Sequence, residues 1–112
     1  MKIVVNKKAV KIFTFGTARS VSIYPFIFLK FNCDKTNTYL LNHERIHIQQ
    51  QKECFVIPFF VIYFLNFVIN FFRYFSFDKA YRNICFEKEA FSNEERLDYL
   101  QNRKSLSFIN YF

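Results

Sequence analysis

The segment His43-Glu44-Arg45-Ile46-His47 holds the residues of this chain whose types and spacing best suit chemistry. On a helix, an i, i+4 pair of imidazoles shares one face a turn apart, so both rings reach one metal ion. Glu44 lies one position on, beside such an ion rather than on it. There a carboxylate can take a proton from a zinc-bound water and return it to a leaving amine. His43 and His47 are also the two histidines of the sequence. The expected chemistry is hydrolysis of a peptide or protein substrate by bound zinc, Zn2+, with Glu44 as general base and then acid.

Catalytic zinc takes three protein ligands and leaves a fourth position open. With no third histidine, a carboxylate or a thiolate must complete the set. The densest candidate segment is Phe86-Glu87-Lys88-Glu89-Ala90-Phe91. Glu87 precedes the small Ala90 by three residues, so a neighbouring helix can approach on the face Glu87 presents. Glu89 points roughly the other way, as residues two apart on a helix do. On spacing alone both remain candidates. Gln50 and Gln51 continue the face of the histidines, while Asn83 and Glu94 flank Glu87, and any of them can orient a ligand by a hydrogen bond. Tyr81 and Arg82 are the nearest residues able to donate to a developing oxyanion.

An HExxH motif followed by an ExxA-type glutamate segment resembles the gluzincin metallopeptidases, and the brevity of the chain is similar to the stand-alone minigluzincins. The resemblance covers about Asn42 to Glu94 and implies Glu87 as third zinc ligand, with Ala90 in register. Phe91 stands where that pattern carries an acid, so the resemblance leaves the residue that orients the ligands unassigned and Glu89 open as alternative ligand. It further implies that a strand ahead of the motif helix, near Ile23 to Leu29, frames the substrate as an added strand.

The elements that must position these residues are legible in outline. Ile3 to Val5, Val10 to Phe15 and Val21 to Phe31 are β-branched and aromatic runs, separated by Asn6-Lys7-Lys8 and Gly16-Thr17 and bent at Pro25. They predict two or three short antiparallel strands. Asn37 or Thr38 can cap a helix that carries the motif. A second helix is expected over Phe55 to Tyr74, bent near Pro58, and a third from Lys79 to about Gln101 behind a capping segment at Ser76 to Asp78. The predicted fold class is α+β, a small N-terminal sheet followed by three helices, zincin-like. At 112 residues the chain is expected to form a single domain over 1–112.

Composition narrows the function classes. The net charge of +7 lies mostly in the N-terminal third, with no nucleic-acid module signature beside it, so no specific nucleic-acid partner is expected. Cys33, Cys54 and Cys85 are odd in number and share no CxxC spacing, which argues against a disulfide framework or a cysteine zinc knuckle. The first residues lack the apolar run of a signal peptide, and a cytoplasmic location is expected. The 18 residues from Phe55 to Phe72 carry Asn66 and Asn70 as their strongly polar members and approach the length of a membrane span. A spanning helix would set its ends about 27 Å apart, and His47 and Glu87 could not then share a metal. The segment is therefore expected to be a core helix or to make peripheral membrane contact. Two rival readings remain: a metal-binding protein of this fold without peptidase activity, and a membrane-associated interaction protein in which HExxH is fortuitous.

Overall fold

The computed structural model describes residues 2–14 and 19–112. Strands β1 (Lys2–Val5), β2 (Ser20–Ile23) and β3 (Phe26–Leu29) form one sheet in the order β1-β3-β2. Helices α1 (Lys7–Thr14), α2 (Thr38–Glu53), α3 (Ile57–Tyr74), α4 (Phe77–Arg82), α5 (Cys85–Asn93) and α6 (Tyr99–Asn102) make up most of the remainder. The α+β class, with a small N-terminal sheet followed by helices, is as the sequence predicts.

The strand pattern differs in one respect. β2 pairs with β3 antiparallel, but β1 pairs with β3 in parallel, so the sheet is mixed. The cause lies at Asn6, whose side chain accepts from the amide of Ala9 at 3.0 Å and caps a helix where a turn and a second strand were expected. The chain from Lys7 onward coils as α1, burying Val10 while Lys8, Lys11 and Ile12 stay exposed. A helical crossover lets β1 lie parallel to β3. The expected break at Gly16-Thr17 lies outside the described residues.

α2 begins as the capping signal suggests, with the Asn37 side chain accepting from the amide of Leu40. Leu41 and Ile48, seven residues apart, pack on Ile27 and Leu29 of β3. His43, His47 and Gln50 lie on a second face toward α5, whose Phe86 joins Phe59 of α3, Ile84 and Phe108 in a separate apolar cluster. α2 is thus buried on two sides, and its buried residues include four polar ones besides the two histidines, Asn42, Glu44, Gln50 and Gln51, none of which is left unpaired.

The long third helix is in fact three pieces. Ile84 is extended between α4 and α5, which exposes helix ends that local sequence does not satisfy. Partners arrive from α3: Asn66 accepts from the amide of Cys85 at 2.8 Å, and Asn70 donates to the carbonyl of Ala80 at 3.2 Å. At the far end of α5, Asn42 of α2 donates to the carbonyls of Asn93, Glu94 and Arg96.

Candidate metal centre

α2 presents His43 and His47 one turn apart, and α5 presents Glu87 from its first turn, where the helix dipole favours a carboxylate. The Nε2 atoms of the two histidines lie 3.1 Å apart, and each lies 3.1 Å from Oε1 of Glu87. All three residues are buried. An ion bound tetrahedrally at about 2.0–2.1 Å holds its ligand atoms about 3.3 Å apart, so this triangle needs almost no adjustment to accept one. The chain therefore contains a buried His-His-Glu group able to hold a metal ion.

The surroundings fix each ligand. Oε1 of Gln50 lies 2.8 Å from Nδ1 of His47, and Oε2 of Glu94 lies 3.2 Å from Nδ1 of His43. With Nδ1 protonated, each ring donates outward and turns the lone pair of Nε2 toward the ion. Glu94 thus contacts His43 from the side, while the ring of Phe91 packs edge-on against His43 at 4.6 Å. The hydroxyl of Tyr63 donates to Oε2 of Glu87 at 2.7 Å, leaving Oε1 to the histidines. Burial and the charge of Glu87 push the Tyr63 phenol well above its ordinary value, so it remains a donor.

Glu89 does not approach the histidines. It accepts from both Arg103 and Tyr99, and from Nε2 of Gln50 at 3.0 Å. Arg103 also pairs with Glu53 at 2.7 Å. Of the two carboxylates left open by spacing, Glu87 faces the two histidines and Glu89 supports the group at one remove, through Gln50. The other expected orienting residues have different work. Gln51 accepts from the amide of Tyr24 and donates to the carbonyl of Ser22, tying α2 to the outer edge of β2, while Asn83 caps α4 through the carbonyl of Lys79.

Glu44 is buried and accepts from the hydroxyl of Ser20 on β2 at 2.9 Å. It opens, with the three ligands, on a cleft of about 1230 Å³. Tyr81 and Arg82 also line this cleft. Burial and the charges of Glu87 and Glu44 raise the Tyr81 phenol far above its usual range, so it too stays protonated. Arg82 is drawn toward Asp78 in an exposed ion pair. β3, Phe26 to Leu29, is the central strand and offers no free edge to an added strand; β2, which ends at Ile23, is an edge strand that lines the cleft and offers one beside the Ser22 carbonyl taken by Gln51.

Sequence reading missed Ser20, Asn42, Tyr63, Tyr99 and Arg103. The signal for Tyr63 was a lone hydroxyl in an apolar helix, and for Asn42 a polar residue directly before the motif. Nothing local marks Arg103. Comparison with protein-family models, with curated proteins and with solved structures finds no match to this chain.

Without a metal, burial disfavours charge on His47, but Glu87 outweighs it and pushes the imidazole up to about 9. Burial likewise opposes the charge on Glu87, and the two imidazoles overcome it, holding the carboxyl well below the usual range. A raised imidazole contributes stability that is complete below its unfolded value of 6.5 and is lost as pH rises through about 9. Metal binding requires a neutral ring and must displace that proton. Below pH 9 the affinity of the metal-free protein for zinc should therefore rise about tenfold per pH unit, with about one proton released per ion. Calorimetric titration in buffers of differing ionisation enthalpy reads both; proton uptake or a pH-independent affinity would contradict the arrangement.

Proposed function

We propose that the chain is a zinc-dependent peptidase of gluzincin type, with His43, His47 and Glu87 as metal ligands and Glu44 as general base. The observation that carries this reading is the joint placement of an open three-ligand group and a separate buried carboxylate, Glu44, on one cleft. Two imidazoles and one carboxylate suit zinc, and three protein ligands leave a position free, as in catalytic rather than structural sites. Zinc, when bound, supplies a Lewis acid that polarises the scissile carbonyl and acidifies a water.

The protein's own residues do the rest. Glu44, held by the Ser20 hydroxyl, takes a proton from the attacking water and delivers it to the departing amine. Tyr81, kept protonated, donates toward the oxyanion as it forms. The outer edge of β2, beyond the Ser22 carbonyl already held by Gln51, aligns an extended peptide by main-chain hydrogen bonds. The many aromatic residues of the cleft favour apolar side chains in that peptide.

Metal content tests the ligand set. Purified protein should hold one zinc per chain; Glu87→Ala and His47→Ala should lose it, whereas Glu89→Ala should take up stoichiometric zinc when saturated. Zinc lost with Glu89 and kept without Glu87 would move the third ligand. Cleavage of a panel of unstructured peptides by the wild type tests the activity, and full zinc with no cleavage would favour a metal-holding protein without peptidase action.

A further inference from the structure

α3 distributes its polarity the wrong way round for a helix bathed in water. Its polar side chains, Tyr63, Asn66, Asn70, Arg73 and Tyr74, fall on one half of the helix, from which Tyr63, Asn66 and Asn70 bond to α4 and α5. The outward half, through Ile57, Val61, Phe64, Leu65, Ile69 and Phe72, is exposed and carries no polar residue. Of its residues only Phe59 and Asn70 are fully buried. A surface helix in water has the opposite arrangement, apolar inward and polar outward. At the ends, Phe55 and Phe75 take left-handed backbone angles, φ 59° and 49°, which bulky residues avoid, and both rings are exposed. Patches of this extent mark a surface that meets another apolar phase.

We propose that this face docks onto an anionic lipid bilayer, with α3 lying flat in the interfacial layer. Charge selects the occupant. The chain carries +7, and Lys52, Arg73 and Lys79, which are exposed and make no ion pair among the described residues, stand just before, at the end of and just after α3. A second copy of the chain would set +7 against +7 and oppose these cations to their own kind, whereas an anionic headgroup layer complements them. Packing selects the orientation. α4 lies against α3 with Asp78, Lys79 and Arg82, and α5 brings Lys88, so a spanning α3 would carry these charges into hydrocarbon. Phe64, at the margin of the apolar face, also lines the cleft, so docking brings the mouth of the metal site to the lipid surface. The docking does not depend on whether that site hydrolyses anything.

Flotation of the full-length, zinc-loaded chain with vesicles tests this. The protein should float with vesicles of phosphatidylcholine and phosphatidylglycerol, and about tenfold less with phosphatidylcholine alone or at high salt. The double substitution Val61→Asp, Phe72→Asp lies outside the cleft and should abolish flotation while leaving zinc content and the helical circular dichroism unchanged. The proposal fails if the wild type stays unbound to anionic vesicles, or if the double variant binds as well as wild type. It also fails if light scattering shows a wild-type dimer that the substitutions dissociate while vesicles bind neither, which would make the occupant a second copy. Resistance of bound protein to alkaline carbonate extraction would overturn the flat placement in favour of a span.

Discussion

Replacing Glu44 with Gln is expected to leave one zinc per chain and to slow peptide hydrolysis by about 10²- to 10⁴-fold, the usual worth of a positioned proton-transfer group. The substitution conserves shape, and the Ser20 hydroxyl that now donates to Glu44 can still donate to an amide oxygen, so the cleft wall should keep its form. What disappears is basicity. Because Glu44 is not among the three grouped ligands, metal stoichiometry is a control measured on the same sample. His43→Ala and His47→Ala behave differently, since each removes a ligand and should lose metal and activity together. Undiminished cleavage by a clean Glu44→Gln preparation would sink the mechanism.

Glu89→Ala should destabilise the fold by about 3–5 kcal/mol, toward the lower end because Arg103 keeps its bond to Glu53. Glu89 is fully buried, and its removal strips partners from Arg103, Tyr99 and Gln50 at once. Burial alone would raise the Glu89 carboxyl, but the donors on Arg103, Tyr99 and Gln50 hold it below its ordinary value. A lowered carboxyl contributes stability that is present above the unfolded value of 4.5 and is lost as pH falls through the lowered one. Denaturant titration of wild type and variant at neutral and acid pH should therefore show the gap between them narrowing in acid. The double variant Glu89→Leu, Arg103→Met, with no unpaired charge left inside, should lose less than Glu89→Ala alone. A surface-like loss of under about 0.5 kcal/mol would show that the network is not structural.

Glu87 and Glu89 stand two residues apart and are expected to answer to different measurements. Glu87 lies against both histidines, and its loss should be read in zinc content. Glu89 acts through the chain, and its loss is read in stability. The link between them is Gln50, which touches Nδ1 of His47 with its oxygen and Glu89 with its nitrogen, so a loosened Glu89 should also weaken zinc binding without abolishing it.

What the sequence determined by itself was local. The i, i+4 spacing of His43 and His47, the Asn37 cap and the helical run behind Pro58 each express a preference that neighbours along the chain are enough to decide. The α+β class followed from the change of pattern between the first thirty or so residues and the rest. The choice of Glu87 over Glu89 was suggested by register and resemblance, but it was the approach of α5 to α2 that set one carboxylate on the histidines and the other on Arg103. Only the tertiary structure decided the breaks at Ile84 and after Asn93, because the groups that satisfy those helix ends, Asn66, Asn70 and Asn42, come from 10 to 54 residues away. The same holds for the parallel pairing of β1, since strand direction depends on the path of the chain between strands, which the Asn6 cap bends into a helix. Buried polar groups must find partners, and where those partners are distant in sequence no local pattern records them.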